Sequence, residues 1–404
     1  MDPYGNQSAE ARSAWRVFVI FLRLGLTSFG GPVAHVGFFR EEFVARRAWL
    51  TDRSYADLLA LCQFLPGPAS SQVGIAIGLT RSGYGGALAA WAGFTLPSAI
   101  ALILLALGLT HYGEVIAPSV LQGLKVAAVA VVAQAVWGMA RNLCPDVPRV
   151  LIMAAAASFA VWVPTAWGQM AVIVVAGLFG LLLLRPAQNV EHDPLPILIS
   201  RRAGVCWLLV FFVLLLGLPL FSALLSSQAL AVFDAFYRSG AMVFGGGHVV
   251  LPLLQSEVVP TGWVGKEVFL AGYGAAQAVP GPLFTFAAFL GGSMNDAPSG
   301  WLGGVLCLVA IFLPGFLLVM GALPFWEMLR RNARVQAALL GINAAVVGLL
   351  LAAFFNPVWS SAMYSWQDVV VAILALSALM LWKLPPWLVV AGCAAAGGLF
   401  RASF

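Results

Sequence analysis

The chain has 404 residues, 61% of them apolar and only 9% charged, with a formal net charge of +5. A soluble domain carries roughly 25% charged residues, and several apolar runs here exceed the roughly 18 residues read as a membrane span. A soluble globular class is excluded, and the chain reads as an all-α polytopic membrane protein in a lipid bilayer. The arginines sit beside the apolar runs, where membrane topology explains them, so no nucleic-acid partner is expected. The lysines are Lys125, Lys266 and Lys383, none within a Gly-Lys-Ser/Thr phosphate loop, which argues against direct ATP hydrolysis. Cys62, Cys144, Cys206, Cys307 and Cys393 form no Cys-x-x-Cys pair, so neither a disulfide nor a metal site is expected, and no other cofactor.

Polar residues run to Ser13 without a small-residue cleavage site, so no removed signal peptide is expected. Thirteen apolar segments follow, at roughly 15–39, 56–80, 85–110, 117–142, 149–163, 166–184, 203–225, 229–255, 268–293, 300–323, 335–355, 367–382 and 385–401. The stretch from Arg185 to Arg202 is the one clear polar linker. The expected division is an N-terminal repeat at 1–185, the linker with a connecting helix at 186–228, and a C-terminal repeat at 229–404.

The segment at 56–80 contains Gln63-Phe-Leu-Pro66-Gly67-Pro68-Ala-Ser70-Ser71. Pro66 and Pro68 lack an N–H and Gly67 tolerates any turn, so no continuous helix passes through. A break of this kind survives in hydrocarbon only where protein or a water-filled cavity satisfies the backbone. Pro68 is placed to open a new helix, leaving the N–H groups of Ala69, Ser70 and Ser71 free. A helix start with free donors and partial positive charge suits an anion. The device returns as Gln277-Ala-Val-Pro280-Gly281-Pro282.

The return is part of a longer repeat. Arg23-x-Gly25 and Phe29-Gly30-Gly31 match Arg238-x-Gly240 and Phe244-Gly245-Gly246. Farther on, Ser82-Gly83 matches Ser299-Gly300, Phe94 with Pro97 matches Phe312 with Pro314, and Gly123 matches Gly341. An odd number of segments separates the two starts, so the halves are expected in opposite orientation, the signature of secondary transporters with broken helices at the midplane. With thirteen plain spans, Arg40, Arg46, Arg47 and Arg53 fall outside, against the positive-inside rule. If 15–39 and 56–80 are hairpins entering and leaving on the cytoplasmic side, those arginines move inside. Their partners, 229–255 and 268–293, then enter from outside as re-entrant hairpins.

Arg23 and Arg238 precede Gly30 and Gly245 by seven residues, two helical turns, which sets each on the face of its glycine pair. An ionisable residue in a span is a functional candidate facing a cavity, against the alternative that it snorkels to the surface. Lys125 lies deep in its segment, where a lone lysine is costly unless it faces water or an anion. Gly30-Gly31 and Gly245-Gly246 are candidate breaks, with close helix packing as the structural alternative. His35 and His248 follow them and can donate to an anion or carry a proton. No paired carboxylates and no Ser/His/Asp grouping stand out, so no enzyme is expected.

The motifs Phe29-Gly-Gly-Pro-x-Ala-His35, Arg47-x-Trp49-Leu50, Gln63-x-x-Pro66-Gly67-Pro68 and Gly83-x-x-Gly86 resemble the N-terminal domain of the chromate ion transporter family. Phe244-Gly-Gly-Gly247, Val250-Leu-Pro252, Pro280-Gly281-Pro282 and Phe312-Leu-Pro314 are similar to its C-terminal domain, in the long-chain, two-domain form. The resemblance implies an inner-membrane carrier that exports chromate, with sulfate as a competitor. Sulfate or another tetrahedral oxyanion as the cargo, and an anion channel built on the same breaks, are the alternatives. The sequence leaves room for a homo-oligomer.

Overall fold

The structure is a computed structural model that describes residues 13–29, 31–112, 118–163, 165–185, 199–244, 247–330 and 332–401. The described residues form helices and turns only. In chain order the principal helices are α1 (Ala14–Thr27), α2 (Gly31–Arg40), α3 (Asp52–Phe64), α4 (Ala69–Tyr112), α5 (Pro118–Leu143), α6 (Val147–Trp162), α7 (Ala166–Leu183) and α8 (Arg201–Leu225). They continue as α9 (Gln228–Ala241), α10 (Val250–Val258), α11 (Lys266–Ala278), α12 (Phe286–Gly292), α13 (Gly300–Ala322), α14 (Ala333–Ala353), α15 (Trp366–Met380) and α16 (Pro386–Arg401). Gly30, Gly245, Gly246 and the linker residues 186–198 lie outside the described residues.

Five of the described helices are long and apolar enough to cross a membrane: Ala69–Thr110, Gln122–Leu143, Arg201–Leu225, Gly300–Phe325 and Ala333–Asn356. Their surfaces agree with that environment. Along α8, Leu209, Val213, Leu216, Leu220 and Leu224 are all exposed, a surface stripe that only lipid or another protein would cover. The few polar residues between apolar runs cap the helices. Asp146, Thr165, Ser200 and Asn332 each accept a backbone N–H at a helix start, and Ser365 forms a capping box with Asp368. Such caps each contribute on the order of 1 kcal/mol.

Several elements are hairpins. Phe21 of α1 stacks on Phe43 at 5.0 Å and meets Phe39 edge-on at 5.6 Å, so the chain after α1 turns back along it. Inside α4 the backbone leaves helical angles at Ser82 and Gly83. A Cβ on Gly78 would stand 2.2 Å from the Gly86 carbonyl, so the two limbs of α4 run side by side. The same approach recurs between Gly291 of α12 and the Gly303 carbonyl of α13, also at 2.2 Å. Arg81, at the turn of α4, lies over the Trp49 ring at 4.3 Å, and Arg47 faces that ring at 5.8 Å. The loop of basic residues and the α4 turn therefore occupy one end of the molecule.

The remaining helices exchange partners between the halves. The first-half helix α5 packs against α15 and α16, while the second-half helix α14 packs against α6 and α7. Close approach is made possible by glycine in both places. A Cβ on Gly123 would lie 2.2 Å from the Cys393 carbonyl, and one on Gly341 would lie 2.1 Å from that of Ala176.

The Pro-Gly-Pro glycines sit in the left-handed half of backbone space, Gly67 at φ +123° and Gly281 at φ +105°. A Cβ on Gly281 would stand 2.8 Å from Ser98 Oγ, whereas one on Gly37 meets nothing within 4 Å. Gly281→Ala is expected to cost about 1–3 kcal/mol of stability through backbone strain, and Gly37→Ala to stay within about 0.5 kcal/mol. Thermal melting of the detergent-purified protein measures both, and equal midpoints would rule out strain at Gly281.

Candidate oxyanion site at the helix breaks

Four breaks interrupt the helices: between α1 and α2, between α3 and α4, between α9 and α10, and between α11 and α12. Each leaves backbone donors and acceptors without helical partners, and in an apolar interior these must be met locally. The solution crosses the halves. The N–H of Gly67, in the second break, donates to the Val243 carbonyl in the third at 2.7 Å. The N–H of Gly281, in the fourth, donates to the Ser28 carbonyl in the first at 3.0 Å. The third and fourth breaks also touch directly, through the turns Gly247–Val249 and Leu283–Thr285. All four breaks thus form one connected cluster.

Helices α4 and α13, each with a proline inside it, pack against it. Gly67 packs on Gly315, beside Pro314 of α13, and Gly281 packs on Ser98, beside Pro97 of α4. Gln72 donates from Nε2 to the Pro66 carbonyl at 2.9 Å, which fixes the second break from within its own helix.

The cluster is polar and incompletely partnered. Pro68 immediately precedes the first residue of α4, so the N–H groups of Ala69, Ser70 and Ser71 open that helix as expected. Ser70 and Ser71 are buried, and Ser71 Oγ has no partner. Ser28 Oγ and Thr95 Oγ1 are likewise buried without partners. His35 is buried with its ring edge-on to Phe94, and its Nε2 meets the Ser28 carbonyl at 3.1 Å. Its Nδ1 has no partner. Hydroxyls, a ring nitrogen and helix-start N–H groups are the donor set that a buried oxyanion requires. The second half is arranged differently, because Thr285 donates both its N–H and its hydroxyl to the Pro282 carbonyl in a short turn. His248 pairs through Nδ1 with the Tyr273 hydroxyl at 2.9 Å, and Gln277 is half-buried. Gln63 is exposed, Pro66 and Pro280 are half-buried, and Gly31 opens α2 at φ +79°.

The three cations singled out in the sequence lie apart from this cluster. α1 ends at Thr27 and α9 at Ala241, so the helical register does not carry Arg23 or Arg238 to the glycine pairs beyond. Arg23 is exposed. Arg238 is held by Asp234 of its own helix at 2.9 Å and by Glu257 of α10 at 3.0 Å. Lys125 is buried, forms an ion pair with Glu267 at the start of α11, and faces the Tyr364 ring at 5.3 Å. Glu257 was legible in principle. It follows Phe244 by thirteen residues, as Glu42 follows Phe29. Beside α5, a small cavity of about 40 Å³ is lined by Gln122, Gly123, Asp368 and Cys393, away from the breaks.

Comparison with known proteins adds to the geometry. The family described as Chromate transporter matches twice, over residues 15–181 and 230–398. A chromate transport protein of Pseudomonas aeruginosa is 28% identical over 348 residues, 83% of this chain and 79% of that one. An uncharacterized transporter of Methanocaldococcus jannaschii is 26% identical, covering 92% of this chain and 90% of its own. A chromate transport protein of Cupriavidus metallidurans is 27% identical, covering 95% and 92%. No solved structure matches the chain.

The two arginines should separate in their effects. Arg238→Gln leaves Asp234 and Glu257 buried without their guanidinium and is expected to cost about 3–5 kcal/mol. Arg23→Gln, at an exposed position, is expected to change stability by less than about 0.5 kcal/mol. Thermal melting in detergent reads both, and a tolerant Arg238 would show that its ion pairs hold nothing together.

Proposed function

Because the chain belongs to the chromate transporter family, with both halves matched, we propose that it is a secondary transporter that exports a divalent tetrahedral oxyanion, chromate, across the inner membrane and so confers chromate resistance. The observation that carries the reading is the joined cluster of four breaks, where Gly67 and Gly281 bond across the halves beside buried, unpartnered Ser28, Ser71, Thr95 and His35. The substrate seat is assigned to the first-half donors together with the glycines of Pro66-Gly67-Pro68 and Pro280-Gly281-Pro282. Gly30, Gly245 and Gly246 belong to the same proposal as the hinges of the first and third breaks. Chromate and sulfate share charge and shape, so sulfate competes for this seat.

The exchange of α5 and α14 between halves supports an inverted repeat, as does the recurrence of each glycine approach at matched positions. The shared end of Arg47, Trp49 and Arg81 supports cytoplasmic hairpins in the first half. Outward movement of a dianion from a negative-inside cytoplasm gains about 2.3 kcal/mol per charge per 100 mV. The membrane potential therefore favours export.

Everted vesicles holding the full chain are expected to take up chromate when their interior is made positive, and to lose that uptake when the potential collapses. Excess sulfate should compete and chloride should not. Uptake of sulfate without chromate would keep the carrier and overturn its cargo. A cysteine at Ala45, in a background lacking the native cysteines, should be protected from an impermeant thiol reagent outside intact cells. Ready labelling there would rule out the hairpin topology.

A further inference from the structure

Asp234, Arg238 and Glu257 form a charge cluster that the transport reading leaves unused. The side chains retain 6%, 12% and 14% of their exposure, respectively. Arg238 Nη2 meets Asp234 Oδ2 at 2.9 Å, and its Nη1 meets Glu257 Oε1 at 3.0 Å. Two carboxylates thus share one guanidinium, and with both ionised the cluster carries one negative charge in excess. Asp234 Oδ1 is buried and has no hydrogen-bond partner.

Among the described residues, the ion pairs of Asp234 and Glu257 are those with Arg238. The helices packed on α9 are α8, α10 and α13. On α8 the charged or titratable residues are Arg201, Arg202 and Cys206, at the end away from α9, whose Tyr237 hydroxyl bonds the Phe211 carbonyl. α13 carries only Cys307, α10 only Glu257 itself, and α7, which packs on α10, none; the turn before α10 holds His248, whose Nδ1 pairs with the Tyr273 hydroxyl. α14, which packs on α10, has Arg334 in its first turn. α9 itself adds Tyr237, whose hydroxyl donates to the Phe211 carbonyl at 3.0 Å. The matched site in the first half is balanced the other way. There Glu42 is held by both Arg46 at 3.0 Å and Arg47 at 2.7 Å, two cations to one carboxylate.

Two buried carboxylates around one cation are relieved of their excess charge by binding a single proton. We propose that Asp234, Arg238 and Glu257 form a proton-binding site that couples proton movement to oxyanion transport. The chemistry is a plain transfer: a carboxylate takes a proton from water and later returns it, with Arg238 holding whichever carboxylate stays ionised. The residual exposure of Glu257 gives the proton a way in and out. The site lies on α9 and α10, the two helices that flank the third break, so its protonation acts on an arm of the proposed substrate seat. The coupling rests on the transport reading; the proton site does not.

Infrared spectra of the purified full chain test the site directly. At neutral pH the wild type is expected to show a protonated-carboxyl stretch that disappears in Asp234→Asn and in Glu257→Gln. Each variant leaves one carboxylate for one guanidinium, a neutral cluster that keeps its shape without a proton. If neither substitution removes such a band, both carboxylates are ionised and the proposal is overturned. Proteoliposomes with a trapped pH indicator test the coupling. Wild type should move one proton per chromate, and both variants should move chromate with no proton. Chromate flux without proton movement in the wild type would overturn the coupling. Absence of any chromate flux would instead overturn the transport reading, and the infrared result would still decide the proton site.

Discussion

Everything near the centre of this molecule depends on two backbone hydrogen bonds, from Gly67 to Val243 and from Gly281 to Ser28. A broken helix inside an apolar body leaves N–H and C=O groups that cost several kcal/mol each when unmet. Here each Pro-Gly-Pro break donates to a carbonyl exposed by a break in the opposite half. Neither half can satisfy its own. The positive φ at both glycines is what aims those N–H groups outward from their own segment, and Ser98, beside Pro97, and Gly315, beside Pro314, pack against them. Sequence punctuation, local geometry and the joining of the halves are one constraint seen at three scales.

That constraint also explains why the centre retains unpartnered polar groups. Ser28, Ser71, Thr95 and His35 are held by a scaffold whose backbone is already committed elsewhere. Rigid surroundings keep such groups from collapsing onto one another, as the proposed substrate seat requires. The charged residues are sorted differently in the two halves. Glu42 is surrounded by arginines, whereas Arg238 is surrounded by carboxylates. The two halves therefore differ in the sign of the charge that each surrounds.

Much of this was written in the chain. Pro66-Gly67-Pro68 and its copy locate their breaks without ambiguity, because two missing N–H groups and a free glycine admit no helix. Membership of an apolar, helical class followed from composition alone. The position of the charges did not follow. Seven residues from Arg23 to Gly30 is a helical spacing only if the helix persists, and it ends at Thr27. Spacing along one segment also says nothing about a carboxylate on the next. Glu257 meets Arg238 because α10 folds back along α9, and Glu267 reaches Lys125 from a helix far along the chain. The turn inside α4, by contrast, was visible in Ser82-Gly83, where the two limbs meet through glycine.

The exchange of α5 and α14 sets an order on biosynthesis. When α14 emerges from the ribosome, its seats on α6 and α7 are already in place. α5 has no such luck: Gln122 bonds the Ala362 carbonyl, and Gly123 packs on Cys393, residues made far later. Until then α5 must wait in the bilayer with its glycine face open and Lys125 without Glu267. On a nascent chain at that stage the packing face of α5 is incomplete, and the C-terminal helix is the part whose arrival covers Gly123.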